Sequence, residues 1–334
     1  MDFVKKNIIL NYIIPSIIAL GVAVPLFAEA AELSTVDEDI KTVFHSLSGG
    51  LQGYQNLKIA WQPRFFSNEL AALMGRLCDW ILLKTSVPFV ENPLELTVAL
   101  WTASWFLLIC LFLILAAKRR SLFHIFGIFT ALAFGYMPRL SIRIYTWDMP
   151  ALFIFTAFVI LFIHNKKWWL FALLALGMGF KETTLILCAA FLFMDLPWKE
   201  RWMMAIGAAV LCVAIKFMLG VYVGLPVSFF TMENGFESSR IRNYYIIRNL
   251  IGLKQIIPLF INSGTLLAFF LLPIHDRRML ALKLIAVFFI AGNMFFGNIF
   301  EYRIWFEMIP FALYGLEIAS YGTSSLVSSE TDQA

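Results

Sequence analysis

Apolar runs long enough to cross a lipid bilayer recur along most of this chain and constrain its fold more than any other feature. A helix needs roughly 20 apolar residues to cross a hydrocarbon core of about 30 Å. The runs that match this length, whole or in part, are 7–28, 94–117, 121–138, 149–164, 168–180, 183–195, 202–222, 256–273, 279–297 and 304–320. The sequence therefore predicts an all-α integral membrane protein with about nine to ten transmembrane segments.

The composition excludes a water-soluble globule and gives no reason to expect a nucleic-acid partner. Of the 334 residues, 60% are hydrophobic and 14% are charged, which is too little polar surface to cover a soluble fold of this length. The formal net charge is only +4, and the lysines and arginines lie in short clusters between apolar runs. Such clusters are typical of membrane topology rather than of a surface that binds DNA or RNA.

Basic turns between alternate apolar runs predict the orientation in the membrane. When the first span starts inside, the clusters on one side are Lys5-Lys6, Lys118-Arg119-Arg120, Lys166-Lys167, Lys199 with Arg201, and Arg277-Arg278. The positive-inside rule assigns that side, both termini and a disordered tail at 321–334 to the cytoplasm. The first run resembles a signal peptide but exceeds the usual h-region of about 7–15 residues, so we expect an uncleaved anchor.

Two longer segments, 29–93 and 223–255, form the outer loops of a single transmembrane domain that covers residues 1–320. In the first loop, apolar residues recur at helical spacing from Asn68 to Leu83, which predicts a helix along the membrane interface. Ser67 or Asn68 would cap this helix. Glycine and proline in the first half of the second loop favour irregular structure there.

The segment 168–195 departs from the pattern of full spans. Lys181-Glu182-Thr183-Thr184 separates two apolar stretches of about twelve residues, and each is too short to cross the membrane alone. Polar backbone at membrane depth is tolerated where it is packed in protein or lines a cavity. We therefore predict a re-entrant or short helical pair whose polar tip faces an outer cavity. The alternative is a simple loop between two tilted helices, with Lys181 reaching lipid headgroups.

Charged residues without a topological explanation gather on the predicted outer side. Asp37-Glu38-Asp39 follow the first span, Asp148 begins a later one, Lys181-Glu182 interrupt the segment 168–195, and Glu301-Tyr302-Arg303 precede the last span. Ionisable groups are costly near hydrocarbon and often mark the path or site of a polar substrate. Their one-sided distribution predicts a single site open to the non-cytoplasmic leaflet.

These motifs together resemble the GT-C superfamily of polytopic glycosyltransferases. The resemblance rests on the acidic motif after the first span, Trp147-Asp148-Met149-Pro150, the stretch from Gly177 to Thr183, and Glu301-Tyr302-Arg303 before a final span with Pro310. The stretch from Trp61 to Phe66 is also similar to a loop of some bacterial members. The resemblance implies inverting transfer of a sugar from a polyprenyl-phosphate donor to a lipid, glycan or protein acceptor, outside the cytoplasm and in a bacterial inner membrane.

The resemblance also implies roles for the acidic residues. An acceptor hydroxyl must lose its proton as it attacks, so a carboxylate is needed as the general base. Asp37 and Asp39 are the first candidates because they match the acidic position of the superfamily's first outer loop, although they could be only a solvated helix start. Asp148 is the second candidate, in the neighbourhood of a further acid of the superfamily, and its alternative role is a helix cap.

The leaving lipid phosphate needs cationic hydrogen-bond donors or a metal. Lys181, Arg303 and Arg64 are the candidate donors, with Glu182, Glu301 and Glu38 in support. The alternative for Lys181 and Arg303 is an internal salt bridge with a neighbouring or facing acid. Aromatic residues beside these motifs could stack on sugar rings or form interface belts: Trp61, Trp147, Tyr302 and Trp305. His45 has no partner at metal-ligand spacing, so a divalent metal is left open.

Other classes of protein remain as alternatives. A transporter or flippase of lipid-linked glycans would also use a broken helix and buried ions, but such folds often show internal repeats and a site at the midplane. A polysaccharide polymerase is chemically closer to a glycosyltransferase. In a non-catalytic scaffold, replacing Asp37, Asp39 or Lys181 would change stability alone. The four cysteines have no paired spacing, so we expect neither a disulfide framework nor redox chemistry.

Overall fold

The described part of the chain is built from helices. The computed structural model describes residues 40–41, 43–44, 64–85, 93–117, 145–224, 235–249, 260, 263–264, 266–274, 276–297, 299, 305–312 and 314–315. The α-helices are α1 (Phe65–Thr85), α2 (Pro93–Ala117), α3 (Asp148–Ile163), α4 (Lys167–Gly177), α5 (Trp198–Tyr222), α6 (Gly235–Asn249) and α7 (Arg277–Phe296), with 3₁₀ helices at Glu182–Phe193 and Phe306–Met308. No strand occurs in these ranges, so the predicted all-α class is confirmed for them.

Two of the described helices are long and apolar enough to cross a bilayer, judged by length and composition. They are α5 and the part of α7 from Arg277 to Phe295. Helices α3 and α4 and the long 3₁₀ helix are apolar but have only 16, 11 and 12 residues. This finding supports membrane association, whereas nine to ten spans are not confirmed. The predicted spans 7–28 and 121–138 lie outside the described residues.

Helix α3 lies at the centre of the described bundle. It contacts α2, α4, the long 3₁₀ helix and the segment that begins at Trp305, and nearly all of its side chains are buried. Phe155 packs against Phe289 of α7 and against Phe311, with ring centroids 6.2 Å apart in both pairs. Protein neighbours thus cover this apolar helix on most of its sides. The start of α3 is therefore held inside the bundle by its neighbours.

The segment 168–195 forms a short helical pair, as the sequence predicts, with α4 and the long 3₁₀ helix joined by the turn 178–181. The rise per residue gives α4 a length of roughly 16 Å and the 3₁₀ helix roughly 24 Å. The 3₁₀ helix packs against both α5 and α7. Tertiary packing therefore holds a geometry that is uncommon over so many residues. An outer cavity at the polar tip stays a prediction.

Cys188 and Cys212 lie side by side in the bundle interior, although their spacing in the sequence indicates no pair. Their Sγ atoms are 3.8 Å apart across the interface of the long 3₁₀ helix and α5. Both residues are buried and carry free thiols. Helix packing, rather than sequence spacing, brings the two residues together. Redox chemistry is not shown by this contact.

The end of the bundle opposite Asp148 carries its own polar contacts. Lys167 Nζ lies 2.5 Å from Glu200 Oε1, and Arg278 lies 3.5 Å from Asp195. Exposed tryptophans surround this end: Trp168, Trp169, Trp198 and Trp202. Exposed tryptophans next to lysines are typical of a membrane–water interface. This end is the one that the basic turns assign to the cytoplasm.

Helix α1 confirms the helix predicted in the first outer loop, but the predicted caps are wrong. The helix begins at Phe65, and Ser67 and Asn68 lie within it. The Ser67 hydroxyl donates to the Phe180 carbonyl at 3.2 Å, and the Asn68 side chain accepts from the Thr146 hydroxyl at 3.2 Å. These polar groups hold neighbouring segments instead of the helix end. Leucines and Trp80 on the opposite face are exposed, which suits the interfacial position that stays a prediction.

Candidate functional site

Six charged side chains from distant parts of the chain meet at the end of the bundle where α3 begins. Each comes from a different place in the fold: Arg64 just before α1, Asp148 at the start of α3, Lys181 in the turn before the long 3₁₀ helix, Glu182 as the first residue of that helix, Lys216 in the later part of α5, and Glu307 in the short 3₁₀ helix at 306–308. We call Asp148, Lys181 and Glu307 the acidic group, and Arg64, Glu182 and Lys216 the basic group. Each group consists of one central charge between two of the opposite sign.

The acidic group is closed off from its surroundings. Lys181 Nζ lies 3.8 Å from Asp148 Oδ1 and forms an ion pair with Glu307. The Thr183 hydroxyl donates to Glu307 at 2.5 Å. The side chains of Lys181, Asp148 and Glu307 are only 9%, 1% and 1% exposed. With all three ionised, two carboxylates share one ammonium and the group carries one net negative charge, so removing Lys181 would leave two uncompensated charges.

The basic group is more open and has the opposite balance. Arg64 Nε lies 3.2 Å from Glu182 Oε2, and Lys216 Nζ lies 2.7 Å from Glu182 Oε1. The side chains of Arg64, Lys216 and Glu182 are 16%, 11% and 26% exposed. The Arg64 guanidinium also lies over the Trp147 ring, 4.1 Å from its centroid. With one carboxylate between two cations, this group carries one net positive charge.

The backbone around Lys181 explains why neighbouring residues join different groups. Lys181 is extended, with φ −156° and ψ 139°, directly before the 3₁₀ helix. Successive side chains in extended backbone point to opposite sides. Lys181 therefore reaches Asp148 and Glu307, whereas Glu182 reaches Arg64 and Lys216. One peptide unit links the two groups and holds them beside each other.

Close backbone contacts hold the turn 178–181 against the start of α1. The Phe66 N–H donates to the Gly179 carbonyl at 3.0 Å. A Cβ on Gly179 would overlap the Phe66 ring, and a Cβ on Gly177 would lie 2.7 Å from Thr184 Cγ2. Both glycines are thus needed for close approach. This packing also positions Arg64, which directly precedes α1.

Asp148 is the first residue of α3 rather than its cap. The residue at the cap position is Trp147, which makes no side-chain cap hydrogen bond. One Asp148 carboxylate oxygen accepts from the Tyr145 N–H at 2.9 Å, and the other faces Lys181. A carboxylate in the first turn is favoured by the helix dipole. The prediction that Asp148 occupies the cap position is therefore wrong. Its carboxylate accepts from the N–H of Tyr145, which precedes the helix.

The residues that follow the acidic motif 37–39 pack against this same end of the bundle. Ile40, Val43 and Phe44 are buried in a cluster with residues of α1 and α2, and Val223 at the end of α5 belongs to it. Phe65 and Tyr145, which lie close in sequence to Arg64 and Asp148, pack against that cluster. Asp37, Glu38 and Asp39 themselves lie outside the described residues.

Four of the predicted site residues are brought together: Arg64, Asp148, Lys181 and Glu182. Lys181 pairs with facing acids, which agrees with the salt-bridge alternative, and its sequence neighbour Glu182 pairs elsewhere. The predicted residues Glu301 and Arg303 lie outside the described residues. Sequence reasoning missed Lys216, Thr183 and Glu307. Lys216 could have been found, because it is the single charged residue in the apolar run 202–222.

Two tryptophans of the predicted interface belt are internal instead. Trp147 and Trp305 are buried, so the belt interpretation is wrong for both. Trp147 lies between the Arg64 guanidinium and the Tyr145 ring, which stacks on it with centroids 5.0 Å apart. The Trp305 indole N–H donates to the Ile299 carbonyl at 3.1 Å. Among the described residues, no cluster of three or more His, Cys, Asp or Glu side chains could hold a metal ion.

Comparison with known proteins adds no family to these observations. No family model, curated protein or solved structure matches this chain. A functional interpretation therefore rests on the two charged groups and on the motifs from which the resemblance was drawn.

Proposed function

We propose that this protein is a membrane glycosyltransferase of the GT-C type in a bacterial inner membrane. It would move a sugar, with inversion, from a polyprenyl-phosphate donor to a lipid, glycan or protein acceptor on the non-cytoplasmic side. The observation that carries the proposal is the acidic group beside the basic group at one end of an apolar helical bundle. The transfer requires carboxylates and cations in one place, and buried ionisable groups in membrane proteins are mostly functional.

In the proposed reaction, the acceptor oxygen forms a bond to the anomeric carbon as the bond from that carbon to the phosphate oxygen breaks. The hydroxyl proton passes to a carboxylate, and the electron pair of the broken bond leaves with the lipid phosphate. Asp37 and Asp39 are the proposed bases. Support for this role comes from Ile40, which follows Asp39 directly and lies in the cluster that Phe65 and Tyr145 pack against, next in sequence to Arg64 and near Asp148. Asp148 is closed off beside Lys181, so it would support the site without touching the acceptor.

The cations have different proposed roles. Arg64 is more exposed than Lys181 and carries planar donors suited to phosphate, so it would contact the donor. Arg303 keeps the same proposed role from the sequence. Lys181 is engaged by two carboxylates and would position Asp148 rather than bind phosphate.

The depth of the two groups in the bundle also supports a lipid-linked donor. Lys216 precedes the last residue of α5, Tyr222, by six positions (222 − 216), or roughly 9 Å along the helix. A site near the end of an apolar helix lets an isoprenoid tail stay in lipid while its phosphate reaches the charged groups.

The direct test is sugar transfer by the full chain purified into lipid nanodiscs. Labelled polyprenyl-phosphate sugars are offered with lipid acceptors to the wild type, Asp37→Asn, Asp39→Asn and Asp148→Asn. Loss of the base, in Asp37→Asn or in Asp39→Asn, should lower turnover by about 100-fold or more. Asp195→Asn is the control, because Asp195 is exposed at the opposite end. Equal turnover in all folded variants, or no turnover by the wild type with any donor, would contradict the proposal.

A transporter or flippase of lipid-linked glycans is the second candidate function. The observation that favours it is a lysine buried between two carboxylates, an arrangement that ion-coupled carriers also use. Proteoliposomes with a fluorescent lipid-linked glycan distinguish the two functions, because a flippase moves the label across the bilayer without changing its glycan. A polymerase would instead lengthen the glycan, which mass spectrometry of the product detects.

A further inference from the structure

The basic group contains a cation that the sequence motifs did not include, and this changes how the group can act. Lys216 lies in the apolar helix α5 and shares the Glu182 carboxylate with Arg64. We infer that Arg64 and Lys216 form a binding site for a phosphate monoester, and that Glu182 competes with the phosphate for these two cations. The natural ligand would be the product, polyprenyl phosphate, because the sugar-linked donor is a phosphodiester; this identity rests on the proposed function.

The charge balance favours a divalent anion at this position. One carboxylate faces two cations, and no other carboxylate among the described residues lies within salt-bridge distance of Arg64 or Lys216. A phosphate monoester carries about −1.5 to −2 charges near pH 7 and three acceptor oxygens. When it displaces Glu182, it neutralises both cations, whereas Glu182 alone leaves one positive charge in an apolar surrounding.

The orientation of the two cations also suits a phosphate. Arg64 and Lys216 each hold a different oxygen of the same carboxylate, at 3.2 and 2.7 Å. Trp147 covers a face of the Arg64 guanidinium, and all five N–H donors of this group lie in its plane. Stacking on Trp147 therefore keeps the fork in place without using its donors. Arginine in such a fixed position can bind phosphate through two parallel hydrogen bonds.

The neighbouring acidic group excludes Lys181 from this role. Lys181 is more buried than any member of the basic group, and its ammonium lies between Asp148 and Glu307. A phosphate that approached Lys181 would meet two carboxylates and would be repelled. The same repulsion directs an anion towards Arg64 and Lys216, whose counter-charge is a single, partly exposed carboxylate.

Competition by Glu182 predicts effects of opposite sign within one ionic group. Glu182→Gln removes the competing charge but keeps the side-chain shape, so it should tighten phosphate binding by about 10-fold. Arg64→Gln and Lys216→Gln each remove a cation and should weaken binding by about 10-fold or more. A purely structural ionic group would not produce this pattern, because every substitution in it would weaken the fold and leave ligand affinity unchanged or lower.

The test measures binding of farnesyl phosphate to the full chain in phosphatidylcholine nanodiscs. Farnesol in place of farnesyl phosphate shows whether the phosphate is recognised, and it should not bind detectably. Competition by inorganic phosphate shows that a free phosphate suffices. Competition by phosphatidylglycerol at similar concentrations would instead mean that the site takes a phosphodiester headgroup, and it would overturn the assignment to a monoester. Arg278→Gln is the matched control, since Arg278 pairs with Asp195 at the opposite end.

Two further variants keep the test decisive if a single substitution prevents folding. Lys216→Arg keeps the charge and should bind within about 3-fold of the wild type. The double variant Glu182→Gln with Lys216→Gln removes one charge of each sign and should bind less tightly than Glu182→Gln alone. The inference fails if Glu182→Gln binds no more tightly than the wild type, or if Arg64→Gln and Lys216→Gln bind equally well. Binding with the expected signs but without sugar transfer would contradict the proposed function and leave this inference standing.

Discussion

Lys181 and Glu307 form an ion pair in the interior of an apolar helical bundle, although most of the second half of the chain separates them. Asp148 approaches the same ammonium from the start of α3. The pair joins the short 3₁₀ helix at 306–308 to the turn before the long 3₁₀ helix. Three segments thus depend on one lysine for their charge balance, and this dependence leads to the first prediction.

Replacing Lys181 should destabilise the fold strongly. In Lys181→Met, the carboxylates of Asp148 and Glu307 lose their shared cation while they stay buried. Removing one partner of a buried ion pair costs about 3 kcal/mol or more. The measurement is the midpoint of unfolding of the purified protein in mild detergent, by titration with a denaturing detergent.

The control for this prediction is an ion pair near the surface of the opposite end. Arg278→Met breaks the contact with Asp195, whose side chain is 64% exposed, and such pairs contribute about 0–1 kcal/mol. Adding Glu307→Gln to Lys181→Met should recover part of the lost stability, because one unpaired charge is removed. Equal midpoints for Lys181→Met and Arg278→Met would contradict the role assigned to Lys181.

The close contact between Gly179 and Phe66 leads to the second prediction. A Cβ at position 179 would overlap the Phe66 ring, so Gly179→Ala should destabilise the protein by about 1–3 kcal/mol. It should also weaken phosphate binding, because Arg64 lies two residues before Phe66 and moves with it. Unfolding midpoints and the farnesyl phosphate titration measure the two effects.

Gly220 is the matched glycine for this experiment. A Cβ there meets no atom within 4 Å, and alanine is the better helix former by about 1 kcal/mol. Gly220→Ala should therefore leave stability unchanged or raise it slightly. Adding Phe66→Leu to Gly179→Ala should restore part of the loss by opening space. If both glycine variants behave alike, the packing explanation for Gly179 is wrong.

The parts of this molecule that depend on local sequence were predictable. Helical periodicity predicted α1, and the Trp147 to Pro150 motif marked the start of α3, because spacing and turn chemistry act over a few residues. The interruption at Lys181-Glu182 likewise predicted a short helical pair. The side that faces a cavity, and the number of spans, depend on segments beyond the described residues.

The partners of the charged residues were not predictable from local sequence. Glu182 lies 118 positions from Arg64 and 34 from Lys216. A single sequence does not indicate which of its distant charged residues will pair. The sequence left two roles open for Lys181, which were phosphate binding and an internal salt bridge. The ion pair with Glu307 favours the salt bridge. Lys216 and Glu307 belong to none of the motifs read from the sequence, although Lys216 stands out as the single charge in the apolar run 202–222.

The third prediction concerns Asn243, whose side chain holds α6 against the end of α7. Its amide Nδ2 donates to the carbonyls of Met294 and Gly297, the latter at 3.1 Å. The last carbonyls of a helix have no partner within that helix, so Asn243 satisfies groups that would otherwise be left unbonded in a buried position. Asn243→Ala should cost about 1–3 kcal/mol and should speed amide hydrogen exchange throughout α6. Tyr245→Ala is the control and should leave exchange unchanged, because the Tyr245 side chain is 51% exposed. Equal exchange rates in the two variants would mean that Asn243 does not hold α6 in place.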